Sequence, residues 1–326
     1  MQNRVWLFTF LVLCGGLKLA AQADPCRERT IPVSVYTARD EFVKNLGPAD
    51  FQSSIDGKPI RLTASTLETA PRRIVLLLDI SSSMKEKVRW CLPFVKDVIA
   101  CTSSSIALMT FTKGIQDSVD FDRPRTDLTL ETEKLSDINW SAQKGLRRTA
   151  LEDALLSAVG MLKTPRLGDA ICLISDTGEN ASEAHQPLVE ARLLATGVRV
   201  YMFIPQESWE LSGRWELAGP PVPNLASATG GGVLRFAPGV ERWTALYGGV
   251  LGSRTSALTT NDKDVIMETA RNLDREVKWF YTLRVVLPEP LSKPHTWNLA
   301  VVDAAGKARK DLHLDYPHKL AACDGK

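Results

Sequence analysis

The residue types that most often carry chemistry are scarce in this chain. Histidine occurs four times and cysteine six times in 326 residues. No cysteine has metal-ligand spacing and H-E-x-x-H is absent, which leaves a zinc centre without its usual ligands. G-x-S-x-G and a glycine-rich phosphate loop are also missing, which excludes the common nucleophile elbow and nucleotide cradle. Net charge is nearly absent too. The whole chain is formally +2, but Arg4 and Lys18 fall in the first 23 residues, which hold no acidic residue. The remainder has 38 basic against 38 acidic residues. That balance argues against a nucleic-acid footprint and against general attraction to anionic membrane. Beyond the N-terminus no apolar run is long enough to span a bilayer, so no membrane anchor is expected after it.

What is present begins with a leader. Arg4 precedes the apolar run Val5 to Leu13, and Ala21-Gln22-Ala23 supplies small residues for cleavage. Residues 1–23 therefore read as a secretory signal peptide, cut after Ala23, and the expected location is secreted or periplasmic. A lipoprotein reading at Leu11-Val12-Leu13-Cys14 is weaker, because Leu13 is not a small residue. Five cysteines remain after the leader. Cys26 and Cys323 stand at the two extremes, and in an oxidising compartment their pairing would tie the ends together. Cys91 and Cys101 lie along one helix at roughly 15 Å, too far to bridge. Cys172 sits in an apolar strand as a core residue.

The hydrophobic period divides the chain in three. Residues 24–71 read as short strands: Ile31 to Tyr36, Phe51 to Ile55 and, after an Asp56-Gly57 turn, Ile60 to Leu67. Between 72 and 277 strands alternate with helices. Apolar strands are expected at Ile74–Leu78, Ile106–Thr112, Asp169–Ser175, Val198–Ile204 and Val233–Phe236, with a further strand at Ile115–Phe121. Helices are expected near Lys85–Ala100, with a kink at Pro93, and at Thr149–Leu162, Leu188–Ala195, Asn224–Ala228, Val240–Leu251 and Asp264–Trp279. Residues 123–145 are polar and carry a short helix at most. From 278 to 326 the period returns to two, at Tyr281–Leu287, Thr296–Val302 and Leu312–Tyr316. The expected fold is α/β, a doubly wound, mostly parallel sheet. It is inserted between N- and C-terminal β segments that form one β-sandwich, and a Cys26–Cys323 bridge fits that plan.

The chain is organised around Arg72 to Met84, R-R-I-V-L-L-L-D-I-S-S-S-M. An unbroken apolar strand stops on Asp79 and is followed by Ser81, Ser82 and Ser83, a cluster of hard oxygen donors at a carboxyl strand end, where open α/β sheets put their sites. A helix cap is the competing reading, since Ser83 and Glu86 fit a capping box. Two further segments favour the site. Thr149 starts a helix after Gly145-Leu146-Arg147-Arg148, and Asp176 ends the strand Ile171-Cys172-Leu173-Ile174. Two carboxylates and three hydroxyls suit Mg²⁺, or Mn²⁺ in its place.

These residues resemble a von Willebrand factor type A domain with a metal-ion-dependent adhesion site. Asp79-x-Ser81-x-Ser83 matches the family's D-x-S-x-S, Thr149 in R-T-A-L-E-D-A-L its helix-starting threonine, and Asp176 its final aspartate. Leu225-Ala226-Ser227-Ala228-Thr229-Gly230-Gly231 matches a recurrent L-A-x-x-T-G-G. The likeness covers about residues 72–277, and with its leader and flanking β segments the chain is similar to bacterial secreted proteins that embed this domain. The resemblance implies direct metal binding by Ser81, Ser83 and Thr149, with Asp79 and Asp176 acting largely through water. It also implies a coordination position kept for an Asp or Glu of a protein partner. One departure stands out: Thr177 intervenes between Asp176 and Gly178, where the family has glycine directly.

The implied function is adhesion-type protein binding without enzymatic activity. A scaffold with a vestigial metal site is the alternative. A remote third reading is a serine acyl-transferase, because Ser82-Ser83-Met84-Lys85 matches S-x-x-K. The companion elements fail, since Ser175-Asp176-Thr177 and Lys163-Thr164-Pro165 are not S-x-N and K-T-G. Trp209 and Trp215 are candidate partner anchors in the loop after a strand end, and Arg147 and Arg148 could favour an acidic partner. Asp311, His313 and Asp315 share one strand face, read as solvated.

Overall fold

In the computed structural model, residues 26–39, 41–138, 140, 147–205, 223–236 and 260–323 are described. The expected leader, Trp209, Trp215 and the expected helix at Val240–Leu251 lie outside them.

In chain order the first β segment contributes β1 (Glu28–Thr37), β2 (Phe51–Ile55) and β3 (Lys58–Glu68). Asp56 and Gly57 both take positive φ, 50° and 75°, which is what a two-residue hairpin turn between β2 and β3 demands. The α/β portion follows as β4 (Arg73–Asp79), α1 (Val88–Cys101), β5 (Ser105–Phe111), β6 (Ile115–Val119), α2 (Arg125–Ser136), α3 (Leu151–Met161), β7 (Ala170–Ile174), α4 (Gln186–Thr196), β8 (Arg199–Pro205), α5 (Pro223–Thr229), β9 (Val233–Phe236) and α6 (Thr260–Lys278). The chain closes with β10 (Phe280–Val286), β11 (His295–Thr296), β12 (Asn298–Val301), β13 (Leu312–Asp315) and β14 (Lys319–Leu320).

Two six-stranded sheets result. One has the order β6-β5-β4-β7-β8-β9, parallel throughout except for β6 at its edge. Ile74 to Leu78 are fully buried because the pleat sends alternate residues into two cores. Ile74, Leu76 and Leu78 pack with α1 and α6, and Val75 and Leu77 with α3 and α4. The other sheet, β12-β2-β3-β10-β1-β13, is antiparallel and interleaves the first and last β segments. The expected sandwich is therefore corrected in form. Among the described residues the terminal segments share one sheet, with only the two-stranded ribbon β11–β14 beside it. Cys26 and Cys323 are disulfide-bonded, with their Cα atoms 5.2 Å apart.

Two element expectations also change. A 3₁₀ turn at Ser82–Met84 precedes α1, which starts at Val88 instead of Lys85. The polar stretch after 123 holds the 12-residue α2, whose inward face is only Leu128, Thr132 and Leu135. Three positions in so polar a segment leave little period to detect.

The L-A-x-x-T-G-G stretch has a packing role. Thr229 Oγ1 accepts from Val200 N (3.0 Å) and donates to Leu225 O (2.8 Å), joining α5 to β8. Gly230 has φ 74° and lies against the Tyr316–Pro317 backbone, where the C-terminal β segment crosses. A Cβ on Gly231 would stand 2.0 Å from the Val200 carbonyl oxygen. Gly231→Ala must push β8 aside and is expected to lower unfolding free energy by about 3 kcal/mol, read from denaturant titration.

Candidate functional site

In the α/β sheet β4 lies between β5 and β7, so the strand order reverses at β4. An open α/β sheet leaves a crevice at the carboxyl ends of such strands. Asp79 is the last residue of β4, with Ser175 and Asp176 just beyond β7. Three backbone hydrogen bonds draw the site segments together: Ile80 N to Phe111 O at 2.9 Å, Ala150 N to Thr112 O at 2.8 Å, and Asn180 N to Thr149 O at 3.0 Å. Thr149 is thus held beside the end of β5 on one side and the loop after β7 on the other.

Asp79 is fully buried. Its Oδ1 accepts Ser81 N (2.8 Å) and its Oδ2 accepts Ser175 Oγ (2.7 Å). Burial pushes its carboxyl up to about 6, with a smaller push from Asp176, while the Ser81 and Ser175 hydrogen bonds pull it down. Ser81 Oγ and Ser83 Oγ lie 3.1 Å apart, and Ser83 Oγ donates to Asp176 Oδ1 at 3.2 Å. Ser81 and Thr149 are buried, Asp176 is half-buried and Ser83 is exposed, so the group opens outward through Ser83.

The donor set can be tested against a hard dication. Octahedral oxygens at 2.0–2.1 Å from Mg²⁺ are separated by about 3 Å along each edge. The 3.1 Å between Ser81 Oγ and Ser83 Oγ matches that edge, and Asp176 Oδ1 accepts from Ser83 as a carboxylate at one remove from the ion would. Both Asp79 oxygens are engaged by protein donors, which suits a carboxylate acting at one remove. Among the described residues no group of three or more His, Cys, Asp or Glu is placed to hold a metal. The hydroxyl donors present at the crevice, Ser81 and Ser83, have a spacing that fits such an ion.

Four supporting residues were not evident from sequence. Ser175 bonds Asp79 and also accepts Thr177 N at 2.9 Å. Asn180 Oδ1 accepts Thr149 N at 2.9 Å. Glu179 Oε2 accepts Leu151 N (2.7 Å) and Glu152 N (3.1 Å), so the cap of α3 comes from a distant loop and not from its own N-cap residue. Lys87 places Nζ 3.3 Å from Asp176 Oδ2. The run S-D-T-G-E-N was the available signal, because acceptor side chains just after a strand-end aspartate can serve neighbouring loops.

Of the other candidates, Arg147 and Arg148 are exposed beside Thr149, and Asn180 Nδ2 donates to the Arg147 carbonyl at 3.3 Å. Ser82 and Lys85 are both exposed. Asp311 pairs with Arg309, and the His313 ring stacks on Tyr36 with centroids 5.2 Å apart.

No protein-family model and no curated protein matches this chain. Solved structures do. A von Willebrand factor type A protein from Catenulispora acidiphila is 12% identical, over 92% of this chain and 75% of its own, with a TM-score of 0.42. An aerotolerance-related membrane protein from Bacteroides fragilis is 19% identical over 40% of this chain, which spans 66% of that one, with a TM-score of 0.32. BatB from Bacteroides thetaiotaomicron is 15% identical over 63% and 96%, also at 0.32. All three scores lie below 0.5, and the fold stands on the strand order given above.

Two predictions come from this geometry. Thr177 has φ 66°, a left-handed conformation that a β-branched residue adopts at a cost. It occupies the position directly after Asp176 where the resemblance leads one to expect glycine. Thr177→Gly should raise stability by about 1 kcal/mol, measured as a higher denaturation midpoint. For Glu179, burial raises the carboxyl pKa, but hydrogen bonds from Ser182, Ala181 and Glu152 outweigh it and hold the group below its ordinary 4.5. A lowered folded-state value gives stability above the unfolded value that is lost as pH falls through the folded one. Glu179→Gln should therefore cost about 1 kcal/mol at neutral pH. The difference from wild type should shrink to nothing well below pH 4.5.

Proposed function

We propose that this protein is an adhesion-type protein-binding module of the von Willebrand factor A kind. It takes an Asp or Glu carboxylate of a partner at a divalent-cation site, with Mg²⁺ or Mn²⁺ as the ion. The observation that carries this reading is the set of oxygens at the β4–β7 crevice, Ser81 and Ser83 at octahedral edge spacing with Asp176 next to them. Ser81, Ser83 and Thr149 are the neutral donors, and Asp79 and Asp176 accept from the water or hydroxyl groups around the ion. When bound, the cation supplies a positive centre with a position open to an incoming carboxylate. The hydroxyls leave that centre under-neutralised, so a carboxylate from outside completes it through a charge-assisted contact.

The leader supports a secreted or periplasmic location, and the Cys26–Cys323 bond is of the kind that persists in an oxidising compartment. No catalytic role is assigned. Ser82 and Lys85, the ends of the acyl-transferase-like stretch, are both exposed, and the hydrogen bond described between them belongs to the backbone, Lys85 N to Ser82 O at 3.3 Å. A scaffold reading has one observation in its favour, the ion pair of Lys87 with Asp176, which already gives one site carboxylate a counter-charge.

Melting curves with Mg²⁺, Mn²⁺ or chelator test the site. A ligand at a hundred times its Kd stabilises the native state by about 2.7 kcal/mol, so a rise of several degrees is expected in wild type. The rise should be absent in Asp79→Ala and Ser83→Ala. An unchanged wild-type melting temperature at millimolar Mg²⁺ and Mn²⁺ would sink the metal reading. Partner capture from the secreted fraction with and without chelator then separates adhesion, which chelator abolishes, from scaffolding, which it leaves intact.

A further inference from the structure

Lys87 stands just before α1, four residues beyond Ser83, in the wall of the crevice. It is only 8% exposed, although lysine is rarely buried without a counter-charge. Its Nζ lies 3.3 Å from Asp176 Oδ2, while the other oxygen of the same carboxylate accepts Ser83 Oγ. Asp176 therefore joins two chemistries. One oxygen faces the hydroxyls that the site reading gives to a dication, and the other is held by an ammonium. Two positive charges drawn to the same carboxylate repel each other, and more strongly where protein replaces water.

We propose that Lys87 is a built-in counter-cation that sets the divalent-cation affinity of this site. In the cation-free protein its ammonium neutralises Asp176, which would otherwise be a half-buried carboxylate beside the buried Asp79. In the loaded protein the same ammonium opposes the ion and lowers its affinity. The D-x-S-x-S pattern gives this position no role, so Lys87 would distinguish this chain's site from one built on the motif residues alone. The inference rests on the metal reading above and adds a second, separable claim to it.

The test is calorimetric titration of Mg²⁺ into the full-length mature chain, paired with melting in chelator. The proteins are wild type, Lys87→Met, Lys87→Gln and Lys87→Arg, with Asp79→Ala as the site control. Lys87→Met removes the charge while keeping most of the volume. Lys87→Gln keeps an N–H donor for Asp176 and serves where the methionine variant fails to fold. The expected result is at least about tenfold tighter Mg²⁺ binding in both neutral variants, a difference of about 1.4 kcal/mol. Their melting temperatures in chelator should fall, Mg²⁺ should restore them, and Lys87→Arg should stay near wild type. The same support would come from neutral variants that bind Mg²⁺ where wild type does not. Neutral variants that melt lower yet bind Mg²⁺ no tighter would overturn the proposal, leaving Lys87 a purely structural pair while the site reading stands. Absence of binding in wild type and neutral variants alike would overturn both.

Discussion

The constraint on which the rest of the site depends is the burial of the Asp79 carboxylate at the end of the central strand. A charge taken out of water is costly unless donors replace the lost hydration. The hydrogen bonds described for Asp79 come from neutral groups, Ser81 N and Ser175 Oγ. They are enough to hold the group in place, but burial still lifts its carboxyl to about 6. These bonds also shape the surrounding chain. Reaching back to Asp79 folds the segment after β4 so that Ser81 and Ser83 come side by side. Ser175, turned inward to Asp79, takes Thr177 N as well, and this bend aims Asp176 at Ser83. One buried carboxylate thus dictates two loops.

The opposite end of the sheet handles the same problem differently. Asp169, just before β7, is also buried, but Arg73 grips both its oxygens and donates to the Leu162 and Thr164 carbonyls as well. Arg199, among the most buried side chains in the molecule, caps the last turn of α6 through the Glu276 and Val277 carbonyls and lies over the Phe280 ring. Arg72 meets that ring from Gly168's side while pairing with Glu68. Here the chain enters the α/β portion from β3 and leaves it into β10, and planar guanidinium groups suit both the carbonyls and the aromatic ring they must serve. The amino end of the sheet is sealed with cations. The carboxyl end is furnished with hydroxyls and left open.

This division explains what could be read from sequence. The strands β4, β5, β7 and β8 were legible because burial on both faces demands unbroken apolar runs, and Asp79 was conspicuous as the first charge after one. Asp176 and Thr149 could be placed because each sits at the junction of two such elements. What stayed hidden came from pairings distant in sequence. The hydrophobic period says that Leu312–Tyr316 is a strand but not that it lines up beside β1. It cannot reveal that Glu179 caps a helix 28 residues away, or that Lys87 turns inward to Asp176. α2 was underestimated for a related reason: its inward face includes Thr132, whose hydroxyl is satisfied by the Leu128 carbonyl and so needs no apolar neighbour in the sequence.

Charge at the crevice connects the buried carboxylate to the kind of ligand the site would take. Among the described residues of the site, Asp79 and Asp176 contribute two negative charges when ionised and Lys87 one positive charge, so these three sum to a single negative charge. Two carboxylates held at one remove would offset much of a dication's charge and weaken the electrostatic reason to recruit a third, although the neutral hydroxyls still leave the ion under-neutralised. With Lys87 counted, the same dication would leave one positive charge uncompensated in a partly desolvated crevice, where charge is least tolerated. A single carboxylate arriving from outside would cancel it. Ser83 is exposed, as are Arg147 and Arg148 just before Thr149, and their positive charge would favour an acidic group. An ammonium that weakens the hold on the ion would in this way raise the site's demand for an acidic ligand, and tight metal binding and selective carboxylate capture would pull the residue at position 87 in opposite directions.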